Sequence, residues 1–123
     1  MLSNQLLHRA VQDVKRIGNV ECAVWDKKGV CLVMTSEKMT AWESAAAEFG
    51  QEEVDELVRE GVSFYLIRED DEPVYVLGVE GEGTEAILAG RFGASQISNL
   101  LIAYKDRMDK NRFIQNLILD NLL

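Results

Sequence analysis

The chain has 123 residues, 47% of them hydrophobic, and a formal net charge of −8 from 13 basic and 21 acidic side chains. This length and composition predict one globular domain with a real core. The negative charge argues against a nucleic-acid surface, because a phosphate backbone is bound by clustered Lys and Arg. No apolar run is long enough to span a membrane, and the first residues lack the pattern of a secretion signal. We therefore expect a cytoplasmic protein.

The first half of the chain predicts a helix, a hairpin and two short helices. Ser3 or Asn4 can cap the first helix, whose apolar residues keep helical spacing as far as Ile17. Gly29 can take the positive φ that a tight turn between two strands needs. The later elements are strands at residues 20–25 and 30–35, a short helix that opens with a capping box at Thr40, and an acidic helix at residues 52–60.

The second half predicts three strands and a long helix. The strands lie at residues 62–68, 74–80 and 85–92, and the helix at residues 95–123. Residues 74–79 are apolar on both faces, so both faces of the sheet must be covered. We expect an α+β fold with a PAS-like five-stranded antiparallel sheet, short helices over one face and the terminal helices over the other. Profilin-like and GAF-like folds share much of this element order.

The last helix is longer than a domain of about 90 residues needs, which predicts a partner chain. Its apolar residues recur in steps of four and three, the pattern of a coiled-coil seam. The first helix is the natural second contributor, so we expect a homodimer in which each copy provides two helices. The predicted interface residues are Leu6, Val11, Ile97, Leu101, Tyr104, Met108, Ile118 and Leu122. The chain thus divides into a sensor domain at residues 1–94 and a signalling helix at residues 95–123.

The sequence contains few residues of the types that bind metals or act as nucleophiles. His8 is the single histidine, and Cys22 and Cys31 lack metal-ligand spacing, so we expect buried reduced thiols and no metal. Four carboxylates in residues 52–56 could attract a cation, but a solvated acidic face is the better interpretation. No nucleophile stands near a recognisable base. The sequence therefore predicts neither an enzyme nor a bound cofactor.

Two arginines suggest a ligand pocket. Arg68 ends one predicted strand and Arg91 lies in the last, where small residues leave space around it. A buried Arg needs an anionic partner, which could be a ligand carboxylate or an internal Asp or Glu, and the internal partner is favoured. The remaining candidates for the pocket wall are Ser63, Tyr65, Tyr75 and Trp42, for which ordinary core packing is the alternative role.

Three segments resemble the N-terminal sensor region of the sugar-diacid-type bacterial transcription regulators. They are residues 1–6 (Met-Leu-Ser-Asn-Gln-Leu), the hairpin at residues 24–30, and residues 111–123, which contain Asn-Arg-Phe-Ile-Gln-Asn-Leu. The resemblance implies that the last helix leads to a helix-turn-helix domain beyond this sequence, which would make any contact with DNA. We therefore expect a parallel homodimer, since two DNA-binding domains at the same end can address a two-fold site. It also implies a small-molecule ligand, with carboxylates among the candidates.

Two functions follow from these expectations. The chain is either a ligand-sensing and dimerisation input domain of a transcription regulator, or a dimerisation module that binds no ligand. An internal cavity of several hundred cubic ångströms would favour the first, and a sheet packed solid on both faces would favour the second.

Overall fold

The computed structural model describes the backbone of residues 2–122 and the side chains of residues 2–119. Five antiparallel strands form one sheet in the order β2-β1-β5-β4-β3. The α+β class, the five-stranded antiparallel sheet and the long C-terminal helix are confirmed, whereas the PAS-like assignment stays a prediction. The elements are α1 (Asn4–Gly18), β1 (Glu21–Asp26), β2 (Cys31–Met34), a 3-10 helix (Glu37–Trp42), α2 (Glu43–Phe49), β3 (Glu56–Arg59), β4 (Val62–Glu69), β5 (Glu72–Glu80) and α3 (Thr84–Leu122).

Local signals fix the first helix and the first hairpin. The Ser3 side chain accepts a hydrogen bond from the Leu6 amide, which satisfies one of the unpaired donors at the start of α1. Asn19 has a left-handed φ of 51° and ends the helix. Gly29 has a φ of +91° in the turn between β1 and β2, a conformation that glycine adopts without strain.

Two helical layers cover the two faces of the sheet. On one face, α1 and α3 pack against a core that includes Val24, Tyr75 and Leu77. On the other face, the 3-10 helix and α2 cover Trp25, Phe64 and Val76, and the rings of Phe49 and Phe64 stack with centroids 5.7 Å apart. The predicted covering of one face by short helices and of the other by the terminal helices is confirmed.

The helix predicted at residues 52–60 is wrong. The segment instead leads into β3, an edge strand in which Leu57 lies opposite Phe64 of β4. The backbone carbonyl of Asp55 also accepts a hydrogen bond of 2.8 Å from the Leu66 amide. Because the open edge of β4 offers a row of backbone partners, long-range pairing outweighs the helix propensity of this acidic segment.

The strand predicted at residues 85–92 is also wrong, because α3 begins at Thr84 rather than at Ser95. Gly90 and Gly93, two of the small residues near Arg91, lie inside the helix. A Cβ on Gly90 would clash with the Tyr65 ring, and one on Gly93 would clash with Val14. Glycine costs about 1 kcal/mol in a helix interior relative to alanine, but here it lets α3 approach the sheet and α1 closely.

The capping box predicted at Thr40 is not formed. Ser36 caps the 3-10 helix by accepting a hydrogen bond of 3.3 Å from the Lys38 amide. The Thr40 hydroxyl instead donates to the carbonyl of Glu37 within that helix, at 2.7 Å. Helix α2 starts one residue after Trp42, which provides no side-chain cap.

Candidate functional site

Helix α3 has two halves in different environments. It contains 39 residues and is therefore about 58 Å long. The proximal half, residues 84–101, packs on the domain and buries Ala89, Ile97 and Leu101. In the distal half, residues 102–122, every described side chain is exposed except that of Lys105, which is half-buried. The burial of α3 side chains in its own domain thus ends with Leu101.

The distal half nevertheless carries large apolar side chains. Their exposed fractions range from 38% for Tyr104 to 66% for Phe113. Most of the stability of a helix in a protein comes from tertiary packing of its apolar face, and an exposed apolar surface marks an interaction site. The distal half is therefore the candidate site, and its exposed apolar residues are Ile102, Tyr104, Met108, Phe113, Ile114, Leu117, Ile118 and Leu119.

Some residues predicted for the dimer interface lie in the core of their own domain. Val11, Ile97 and Leu101 are at most 2% exposed, and Leu6 packs partly against the same core. The burial of Val11, Ile97 and Leu101 corrects their predicted place in a surface seam, whereas Leu6 is only half-buried. Tyr104, Met108 and Ile118 are exposed as that prediction requires, and the side chain of Leu122 lies outside the described residues.

Both arginines predicted for a pocket form ion pairs within the chain. Arg91 projects from α3, not from a strand, and its Nε lies 3.1 Å from Glu56 Oε1. Arg68 Nε lies 3.1 Å from Asp55 Oδ1. The Arg91 side chain is 59% exposed, so the pair is on the surface rather than buried. The structure places both arginines in the internal pairs that the sequence favoured.

The other predicted pocket residues also have partners within the chain. The hydroxyl oxygens of Ser63 and Tyr65 are 3.0 Å apart, and the Tyr65 hydroxyl donates to the Ile87 carbonyl at 3.2 Å. The Tyr75 hydroxyl accepts a hydrogen bond from the backbone amide of Leu2 at 3.0 Å. Burial raises the pKa of both tyrosines, so these hydroxyls stay protonated. Trp42 Nε1 donates to Glu80 Oε2 at 3.0 Å.

One shallow hollow brings together three of the predicted pocket residues. It has a volume of about 360 Å³ and is open to solvent. Arg68, Arg91 and Tyr65 line it together with Asp55 and Glu56, the carboxylates that pair with the two arginines. Ser63, Tyr75 and Trp42 do not line it. The carboxylates occupy the positions that an anionic ligand would need.

The cysteines are not placed for reactivity. Burial raises the pKa of the Cys22 thiol to about 12, and the thiol donates to the Val11 carbonyl at 3.2 Å. A thiol of this pKa remains protonated at neutral pH and is a poor nucleophile. Across the described part of the chain, no group of three or more His, Cys, Asp or Glu residues could hold a metal ion. No helix described between residues 2 and 122 has both the length and the apolarity to cross a bilayer.

Two exposed residues of the proximal half were missed by sequence reasoning. Leu88 is 57% exposed and Phe92 is 45% exposed, both on the outer side of α3. They were missed because their segment was interpreted as a strand. A helical pattern started at Thr84 would have placed them one turn apart on the side opposite Ile97.

Comparison with known proteins finds a similar fold but no family. No protein-family model and no curated protein matches the chain. Among solved structures it is similar to Myxococcus xanthus MglB, with a TM-score of 0.56 and 13% sequence identity over 84% of this chain and 94% of that one. That neighbour has a longin-like fold. At this identity the likeness concerns the fold alone.

Proposed function

We propose that this chain is a homodimerisation module of a regulatory protein, in which the distal half of α3 binds a second copy. The observation that carries the proposal is the exposure of eight large apolar side chains on a helix segment that leaves its own domain. The sheet is packed on both faces, and the predicted pocket residues are bonded within the chain. These features favour a protein partner over an internal ligand.

The energetics of the distal half support association. Fully burying a large apolar side chain is worth about 1.5–3 kcal/mol relative to leaving it in water. A helix segment without tertiary contacts is close to the balance between helix and coil, so a partner would stabilise the helix as well as bury its apolar side chains. Phe113 is 66% exposed and Leu117 51% exposed, so several such side chains from each copy must be buried together to offset the cost of association and reach the roughly −8 kcal/mol of a micromolar dimer.

The cellular role follows from the sequence resemblance. We place the module in the cytoplasm, in a transcription regulator whose helix-turn-helix domain would follow α3 and make any contact with DNA. Ligand sensing is the second candidate, because the open hollow brings Arg68, Arg91 and Tyr65 together. A carboxylate ligand would have to displace Asp55 or Glu56 from its arginine, which weakens this candidate.

Sedimentation equilibrium at micromolar concentration tests the proposed function. We expect the mass of two chains for the natural sequence and of one chain for Leu117→Asp, because a charge on an apolar contact surface opposes its burial. Asn116→Asp is the matched control, since it adds the same charge to the neighbouring residue, which points to another side of the helix. A natural chain that sediments as a monomer would contradict the proposal.

A further inference from the structure

We propose that the homodimer is antiparallel, with the distal half of α3 of each copy lying in the groove between α1 and the proximal half of α3 of the other copy. This arrangement rests on the proposed homodimerisation and specifies the surface that receives the helix. It is carried by a match of apolar and charged residues between the distal half and that groove.

Part of the apolar surface of the distal half lies on the same side of α3 as Leu88 and Phe92, namely Ile102, Phe113, Ile114 and Leu117. Leu117 lies roughly eight helical turns after Leu88 and roughly seven turns after Phe92. Because these are whole numbers of turns, the three side chains share the outer side of the helix. Ile97 and Leu101 face the sheet on the opposite side. When two copies pack antiparallel through this side, Leu88 lies opposite Leu117 and Phe92 lies opposite Phe113. Both pairs fit one register, because Phe92 lies one turn after Leu88 and Phe113 lies one turn before Leu117.

Helix α1 forms the second wall of the groove. It runs antiparallel to α3, because Gly18 lies next to Ala89 and Asp13 Oδ2 accepts a hydrogen bond of 3.2 Å from Gln96 Nε2. This register places Ile17, which is 56% exposed, beside Phe92. A hollow of about 330 Å³ lies on the surface of α3, lined by Phe92, Ser95, Gln96, Asn99 and Leu100, and Gln96 connects it to α1 through Asp13.

The outer residues of α1 complement those of the distal half. Arg9, Asp13 and Ile17 are spaced four apart on α1, and Asp106, Lys110 and Ile114 are spaced four apart on α3. A partner helix antiparallel to α3 runs parallel to α1. Pairing of Leu88 with Leu117 brings residue 109 of the partner level with Asp13 and residue 113 level with Ile17. Within one residue of these levels, the outer side of the partner helix presents Asp106 to Arg9, Lys110 to Asp13 and Ile114 to Ile17. Asp13 also pairs with Arg16 of its own helix, at 2.8 Å.

Parallel and antiparallel pairing bring different charged residues of the two copies into contact. A parallel pair with the same outer sides in contact would place Asp106 against Asp106 and Lys110 against Lys110, which is unfavourable. The antiparallel pair replaces these contacts with opposite charges. It also places the two-fold axis near residues 102 and 103, where the exposed Ile102 of one copy meets the small Ala103 of the other.

The parallel seam predicted from the sequence loses its first half in the structure. Ile97 and Leu101 are occupied by their own core, so that seam retains Tyr104, Met108 and Ile118. Its parallel sense followed from the expected DNA-binding domain rather than from the helix itself. It remains the competing outcome of the experiment.

Disulfide cross-linking distinguishes the two arrangements. In a Cys31→Ser background, the double variant Leu88→Cys, Leu117→Cys should form a covalent dimer under mild oxidation, and neither single variant should. The two positions are about 44 Å apart along one helix, so a disulfide between them must join two copies. The matched control is Lys28→Cys with Leu117→Cys, which pairs the distal half with a turn outside the groove.

Other outcomes separate the inference from the proposed function. Cross-linking of Leu117→Cys alone would overturn the antiparallel arrangement and leave homodimerisation intact. A dimer in sedimentation that gives no Leu88 to Leu117 cross-link would do the same. A monomer in sedimentation would overturn both.

A charge exchange provides a second test that does not depend on oxidation. Lys110→Glu should raise the dimer dissociation constant roughly two- to thirtyfold, the range of the two exposed ion pairs that a symmetric dimer contains. Adding Asp13→Lys should restore the original value, because opposite charges again face each other. In a parallel dimer the two positions do not meet, so the second change would bring no recovery, and that result would overturn the inference.

Discussion

The proximal and distal halves of α3 belong to one continuous helix, yet the half with the smaller side chains is the one that is held by the domain. Gly90 and Gly93 in the proximal half allow direct contact with Tyr65 and Val14. The distal half has larger apolar residues, such as Phe113, which is 66% exposed. The distance that the sheet extends beneath α3, rather than the hydrophobicity of each half, therefore determines which residues of the helix are buried.

An ion pair marks the boundary between the halves. Lys105 Nζ lies 2.6 Å from Asp70 Oδ2 in the turn between β4 and β5, and this is the last described ion pair between α3 and the domain. Asp70 raises the pKa of Lys105, mainly through this hydrogen bond. Beyond it, the described side chains up to Leu119 are exposed.

The largest expected effect separates the two halves directly. Ile97→Ala should lower the free energy of unfolding by about 2–5 kcal/mol at any protein concentration, because it opens a cavity in the core. Leu117→Ala, the matched change in the distal half, should lower it only at concentrations where the dimer forms. Urea denaturation over a hundredfold range of protein concentration measures both. A similar, concentration-independent loss for the two variants would remove the distinction between the halves.

Stability at alkaline pH should depend on Cys22, whose thiol lies against the Val11 carbonyl of α1. The pKa of Cys22 is raised to about 12 by burial, whereas an unfolded thiol has a pKa of about 8.5. The unfolded chain therefore loses this proton first, so the stabilisation is complete below pH 8.5 and is lost as the pH rises towards 12. Between pH 9.5 and 10.5 the thiol should lower stability by about 1.4 kcal/mol per pH unit.

Comparison of variants isolates that contribution. Cys22→Ala should flatten the pH dependence of the free energy of unfolding by about this amount. Leu117→Ala, which lies in the distal half, should leave the slope unchanged. Chemical denaturation at several pH values provides the measurement. Equal slopes for the natural chain and Cys22→Ala would show that the thiol is not shielded by α1.

The smallest expected effect belongs to the surface ion pair between the proximal half and β3. Arg91→Ala should cost less than about 1 kcal/mol, and less still at high salt, because the pair is exposed. The same variant tests the second candidate function. If a carboxylic acid shifts the melting temperature of the natural chain and not that of Arg91→Ala, Arg91 holds a ligand. Glu56→Gln is the control that breaks the pair but keeps the arginine.

The sequence predicted the elements that are set by local signals. Ser3 caps α1, Gly29 turns the first hairpin, and the apolar run at residues 74–79 correctly predicted a strand covered on both faces. The candidate site was predicted in part, since the apolar distal helix was recognised and Tyr104 and Met108 are exposed. The predicted ligand pocket was not recovered as a set, because its residues found partners within the chain.

The tertiary structure alone decided the elements whose local signals were ambiguous. Residues 56–59 became a strand because β4 offered an edge to pair with, and residues 84–94 became helical because their glycines fit against Tyr65 and Val14. The burial of Ile97 and Leu101 was decided in the same way, by the distance that the sheet extends under α3. The physical reason is that caps and turns depend on neighbouring residues, whereas edge pairing, close approach and burial depend on residues far away in the chain.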